Sequence, residues 1–263
     1  ETNQTISDDV SDLCAQVSVD DESLAVARSL ASGRRSAVWL GNYAVQHRNA
    51  AQIHALSQEI ARLVNSAFGV IGEAANSVGG YLAGAVPFGL IEGKNAAQML
   101  STPLKAYILA GVEPDLDIAD GVSAVKSLRG AEMVAALTVF KSQSLLDLAD
   151  VLLPIAPFTE TAGVFVNCEG RAQAFHPVTK SAGESRAGWK VLRVIGSALE
   201  LNGFDFGTID DVRNKVLGDS LAIDSIKLGN SLAIDKFALP EAVSGIQRIA
   251  DIPIYSADPI VRR

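Results

Sequence analysis

Cysteine is nearly missing from this chain. Among 263 residues only Cys14 and Cys168 carry thiols, and neither belongs to a Cys-x-x-Cys pair. That excludes a disulfide framework, and it excludes an iron–sulfur cluster held by this chain alone, because such clusters usually take four thiolates. Positive charge is also short: 22 Lys and Arg against 30 Asp and Glu leave a net charge of −8. A nucleic-acid partner needs concentrated Lys and Arg, and the doublets Arg34-Arg35 and Arg262-Arg263 are too small to provide it. Long apolar runs are absent as well. The longest, Tyr81 to Ile91, has eleven residues and is broken by Gly84, Pro87 and Gly89, whereas a membrane helix needs about 20. The expectation is a soluble chain with no direct membrane insertion. Its amino end is polar and acidic, unlike a secretory leader, and it opens at Glu1 without a Met, so it reads as a fragment or a processed product.

What is present is a globular composition, 48% hydrophobic and rich in Ala, Leu, Val and Gly, long enough for one large domain or two small ones. Asp20 to Gly33 has helical spacing, with Gly33 as its stop. Ala37 to Leu40 reads as a short buried strand ending at Gly41. Asn49 with Gln52 resembles a capping box. It opens an amphipathic helix whose apolar face is Ile53, Leu56, Ile60, Leu63 and Val64. The alternation continues. Strand-like Pro103 to Gly111 turns at Glu113-Pro114, helical 121–128 precedes strand-like Ala131 to Phe140, and a short helix from Ser144 runs into strand Val151 to Leu153, stopped by Pro154. A helix over Gly188 to Leu201 follows. Such alternation predicts an α/β fold, a Rossmann-like parallel sheet with helices on both faces. Residues 1–201 form that domain in this reading, with 1–21 an irregular lead-in. Residues 202–263 form a carboxyl-terminal extension, mostly extended after one short helix. The paired "SLAID" segments at Ser220 and Ser231 read as coincidence or a local hairpin.

Individual reactive side chains carry little by themselves. His47 and His54 are seven residues apart, roughly 10 Å along a helix, too far to share a metal ion. His176 has no evident partner. Cys168 stands between Glu160 and Glu169, a setting that disfavours a thiolate, and reads as a structural, partly buried residue. The glycine turns at Gly41-Asn42, Gly111 to Pro114 and Gly163 to Arg171 would sit at the carboxyl ends of strands, where α/β sheets bind ligands. None matches a dinucleotide or P-loop fingerprint.

Taken in order, four segments are distinctive: "GNYAVQHRN" at Gly41, "ANSVGGYLAGAVP" at Ala75, "ADVLLP" at Ala149, and "ETAGVFVNCEGR" at Glu160 with "GESRAGW" at Gly183. They match a Gly turn with Gln-His-x-Asn, an Asn-x-x-Gly, an Ala-Asp-x-x-Leu-Pro strand and a long Glu/Gly/Asn/Arg motif. The chain thereby resembles the molybdopterin oxidoreductase family from about Glu22 to Arg263. Within it, "YSADPIVRR" and the central motif are similar to the branch that serves in NADH:quinone oxidoreductase, respiratory complex I.

The resemblance implies that the positions matching the family's pterin site are Gly41, His47, Asn49, Glu113, Asn167, Glu169 and Arg171. Departures from the family pattern, among them the lack of a counterpart to the β-rich last domain of catalytic relatives, lead to the expectation that the site is vestigial. The family's polar Thr-Glu-Thr run reads Gln143, Ser144 and Leu145; its Asn-Pro reads Glu113-Pro114, placing a carboxylate where phosphates would approach; and a Thr of the central motif reads Val164. With the pterin gone, Glu169 could pair with Arg171. The expectation is therefore a non-catalytic scaffold with no catalytic or metal-binding residue and no cofactor in this segment. The resemblance places iron–sulfur clusters in a region preceding it, and other subunits of the complex's peripheral arm as its partners. The location implied is the cytoplasmic side of a bacterial inner membrane, or the mitochondrial matrix. The rivals are a pterin-binding oxidoreductase fragment and a free-standing nucleotide-binding module.

Overall fold

The computed structural model describes residues 14–87, 93–218 and 258–262, together with residues 11, 223, 228–231, 244–246 and 249. The protein is α/β, with parallel sheets flanked by helices. It divides into two compact units, Glu1–Ala74 with Asp224–Asp251, and Ala75–Ile223 with Ile252–Arg263. Most of the predicted extended segment, including nearly all of both "SLAID" repeats, lies outside the described residues.

In the first unit, helix α1 (Asp21–Ser32) is capped by Asp20, whose side chain accepts the Ser23 N–H at 2.7 Å. Strand β1 (Ala37–Leu40) is followed by the short α2 (Asn42–Val45), then α3 (Ala50–Leu63) and β2 (Ala67–Val70). The strands are parallel, Ala37 opposite Ala67 and Leu40 opposite Val70. Parallel neighbours need a crossover, and α3 supplies it, burying Ala55 and Ala61. The small residues lie deepest, while Ile60 on the predicted apolar face stays 44% exposed. The capping box expected at Asn49 and Gln52 does not form. Asn49 makes no side-chain cap; its backbone N–H instead donates to His47 Nδ1 at 3.1 Å, so the turn before α3 is closed by an imidazole. Capping boxes occur at Asn95-Gln98 and Thr208-Asp211.

The second unit carries a three-stranded parallel sheet, β3 (Ala106–Ala110), β4 (Met133–Thr138) and β5 (Val151–Pro154), in that order. Tyr107 pairs with Val134, and Ala135 with Val151. Helices α4 (Ser77–Leu82) and α5 (Ala96–Ser101) precede the sheet. Helices α6 (Pro114–Asp117) and α7 (Gly121–Arg129) join β3 to β4, and α8 (Gln143–Leu148) joins β4 to β5. Tyr107, Leu128, Val134 and Leu148 form the core, with Met99 and Leu104 against it. The Tyr107 hydroxyl donates to Met99 O at 2.9 Å and accepts the Leu104 N–H at 3.0 Å, tying the end of α5 to the sheet. Strands β6 (Gly163–Val166) and β7 (Ala172–Phe175) then form an antiparallel hairpin, and helices α9 (Gly188–Ala198) and α10 (Ile209–Leu217) follow.

One side chain ties the hairpin to α4. Asn76 Oδ1 accepts the N–H of Val166 at 2.8 Å, and Val166 is only 2% exposed. A buried N–H left without an acceptor is costly. The amide of Asn76 reaches it across Gly79, and a Cβ at Gly79 would collide with that amide. The "Asn-x-x-Gly" spacing therefore has a mechanical meaning: the glycine leaves the passage through which the asparagine reaches the hairpin.

Two outcomes follow from these contacts. Tyr107→Phe should cost about 1–2 kcal/mol in urea denaturation, because both hydroxyl bonds vanish while the ring stays; an unchanged midpoint would contradict it. Asn76→Ala should cost about 1–3 kcal/mol, and Gly79→Ala should destabilise through the same lost bond. In the Asn76→Ala background, however, Gly79→Ala should stabilise by up to about 1 kcal/mol through helix propensity. A double-mutant cycle that came out additive would sink the shared-bond account.

Candidate functional site

The site positions are built on the ends of strands. Gly41 leaves β1, and its carbonyl accepts the Ala44 and Val45 N–H groups that start α2. His47 and Asn49 occupy the turn before α3 and are partly buried. In that turn Gln46 Nε2 donates to Glu73 at 2.8 Å. His54 is on α3, its ring 5.0 Å from Phe68 and 2.9 Å from Asn230 O. Its neighbours make it a packing residue. Among the described residues, no group of three or more His, Cys, Asp or Glu is placed to hold a metal ion.

Glu113 lies at the carboxyl end of β3, immediately before α6. It is 4% exposed, the most deeply buried charged residue described. Pro114 at the first helical position starts α6 without needing an N–H, and the Leu116 and Asp117 N–H groups donate to the Glu113 carbonyl at 3.0 and 2.8 Å. Asp117 folds back, its Oδ2 accepting the Glu113 N–H at 2.7 Å. Into this turn comes Arg262. Its Nη1 donates to Asp117 Oδ1 at 2.6 Å, and its Nη2 to Glu113 Oε1 at 2.9 Å and Asp117 Oδ2 at 3.1 Å. Arg262 and Glu113 side chains are 8% and 5% exposed. Hydrogen bonding to Asp117, and then to Glu113, raises the Arg262 pKa above its ordinary value against the opposing effect of burial. Breaking such a buried pair by removing one partner typically costs about 3–5 kcal/mol.

Gln143, Ser144 and Leu145 open α8. Ser142 caps this helix by accepting the Leu145 N–H at 3.3 Å, Gln143 Nε2 donates to Asp147 at 2.7 Å, and Leu145 is fully buried. The run is committed to starting a helix and filling the core.

The central motif is not the loop that the sequence suggests. Residues 163–166 and 172–175 pair as β6 and β7, so the segment is a hairpin and not the carboxyl end of a parallel strand. Gly170, at φ 78°, takes the left-handed turn position. Asn167 organises the turn: its Oδ1 accepts the Glu169 N–H at 3.1 Å and the Arg171 N–H at 2.8 Å. The pairing of Glu169 with Arg171 does not form; their backbones share Asn167, while both residues are exposed to solvent. Cys168 is exposed rather than partly buried, since it lies in the five-residue turn, 167–171, at the tip of the hairpin. Glu160 lies before the hairpin, its carboxylate accepting the Ala182 N–H at 2.9 Å. Val164 is half-buried on β6 opposite Ala174.

Asp117 and Arg262 are the charged residues that sequence reasoning missed. A signal for the first exists: "EPDLD" spaces Glu113 and Asp117 four apart around a helix-starting proline, which stacks two carboxylates on one side of a turn. Nothing in the sequence says which cation answers them.

Residues 10–198 match the profile of molybdopterin oxidoreductase. Among curated proteins, the chain is 35% identical over 78 residues to the mitochondrial NADH-ubiquinone oxidoreductase 78 kDa subunit of Neurospora crassa, covering 30% of this chain and 10% of that one. It is 31% identical over 115 residues to the G subunit of the NADH-quinone oxidoreductase of Mycobacterium bovis, covering 43% of this chain and 14% of that one. A third match is the 78 kDa subunit of Candida albicans, 43% identical over 51 residues and covering 19% of this chain and 7% of that protein. The matched segments thus span a seventh or less of these relatives' length. With the profile running through both sheets, the central hairpin and α9, the chain belongs to the molybdopterin oxidoreductase family.

Proposed function

We propose that this chain is a non-catalytic scaffold segment of the G subunit of an NADH:quinone oxidoreductase, respiratory complex I, in its electron-transferring peripheral arm. The relatives it resembles are subunits of such oxidoreductases. Oxidoreductase activity belongs to the assembly, which passes electrons from NADH to quinone. The segment packs against other peripheral-arm subunits and against iron–sulfur domains carried elsewhere in the same longer protein. The arm lies on the cytoplasmic side of a bacterial inner membrane, or in the mitochondrial matrix. A peripheral position is compatible with the finding that, among the described residues, no helix is long and apolar enough to cross a membrane.

The observation that carries the non-catalytic reading is the ion cluster after β3. In a parallel α/β sheet, ligand phosphates approach the carboxyl ends of the strands. Here that end presents Glu113 and Asp117, with Arg262 already bonded to both. A pterin diphosphate would have to draw the arginine away from two carboxylates and then lie beside them, and like charges at such range repel strongly when desolvated. The Gln143-Ser144-Leu145 run offers no compensation, being spent on a helix start and a core contact. The residues do not fit the cofactor that the family is named for.

The rival, a fragment that still binds a pterin guanine dinucleotide, rests on family membership. Elemental analysis of the natively purified longer protein should find iron but no stoichiometric molybdenum or tungsten, and acid release should yield no pterin fluorescence. Stoichiometric metal together with pterin would overturn the scaffold reading.

A further inference from the structure

The geometry at α6 points to a second property, one that stands whether or not the chain serves as a scaffold. We propose that Glu113 and Asp117 form an exchangeable socket for the guanidinium of an arginine-bearing segment, and that residues 258–262 fill it in cis as a strap.

Both halves are built independently. The socket is a single helical turn whose second acid is oriented by its own backbone, because Asp117 Oδ2 accepts the Glu113 N–H at 2.7 Å. The strap is a turn of its own. Asp258 Oδ1 accepts the Ile260 and Val261 N–H groups at 2.7 and 3.3 Å, and Asp258 O accepts the Arg262 N–H at 3.2 Å. A segment that makes its own hydrogen bonds loses little further freedom on docking.

What holds the two together is the arginine. Ile260 and Val261 remain 43% and 57% exposed, so the strap buries little apolar surface, whereas the Arg262 side chain is 8% exposed. Its fork meets Asp117 through both Nη atoms and reaches Glu113 through Nη2. A planar fork satisfies that arrangement and the point charge of a lysine does not. The socket therefore selects arginine.

The test uses the full chain carrying Arg262→Met and a fluorescent peptide of residues 256–263, SADPIVRR. Anisotropy should show saturable binding to the variant and at least about tenfold weaker binding to the wild-type chain, whose socket is filled. A peptide with lysine at the place of Arg262 should bind at least about tenfold more weakly than the arginine peptide. Adding Asp117→Asn to the variant should abolish binding. Equal binding to both chains, binding to neither, or indifference to lysine would overturn the socket. A second measurement needs no Arg262 variant. Butanedione labelling of the wild-type chain, read by mass spectrometry, should modify Arg262 at least about tenfold more slowly than exposed Arg35, with protection lost in Asp117→Asn. Equal rates would overturn the proposal whatever the folding state of the variant.

Discussion

Parallel strand pairing is the constraint from which the rest of this structure follows. A parallel pair cannot be closed by a tight turn, so each connection must climb over the sheet through helical segments. Between β3 and β4 that duty falls to α6 and α7, and between β4 and β5 to α8. Every such connection begins at the carboxyl end of a strand, so the chemistry-bearing turns collect on one edge of the sheet. Glu113 and the Gln143-Ser144-Leu145 run sit on that edge because each closely follows a strand, and α6 packs against α8 there. The sheet places these residues; their types decide what the edge can hold.

Those types give the turn after β3 two carboxylates and one guanidinium. Asparagine before a proline turn would offer an amide to a phosphate, whereas glutamate offers a second negative charge. Burying that charge is tolerable only with a cation close by, and the structure meets the demand with Arg262. The Asn76 tie to the hairpin is structural: its side-chain oxygen satisfies the buried Val166 N–H.

Legibility in the sequence depends on the range of the interaction. Strands β1, β3, β4 and β5 are short apolar runs bounded by Gly or Pro, and local pattern finds each of them to within a few residues. The hairpin of residues 163–175 reads as a loop because Gly163, Asn167 and Gly170 are turn formers, and because β-pairing between Val164 and Ala174 is a fact about two segments at once. The capping box is misplaced because Asn49 and Gln52 satisfy the pattern while the nearby His47 ring offers a competing acceptor. The exposure of Cys168 depends on that same hairpin. The link from Arg262 to Glu113 spans 149 positions, and no local rule reaches so far.

The chain's path gives that link a meaning in time. Residues Ala75–Ile223 build the second unit, Asp224–Asp251 belong to the first, and only Ile252–Arg263 return to the second. A ribosome adding roughly 5–20 residues per second makes Glu113 and Asp117 on the order of ten to thirty seconds before the arginine that answers them. Through that interval the sheet can assemble, but its acidic turn cannot take its final form. The second unit is therefore closed only after Asp224–Asp251 of the first unit have been made. Only with Arg262 in place does the acidic turn take the form that the folded chain shows.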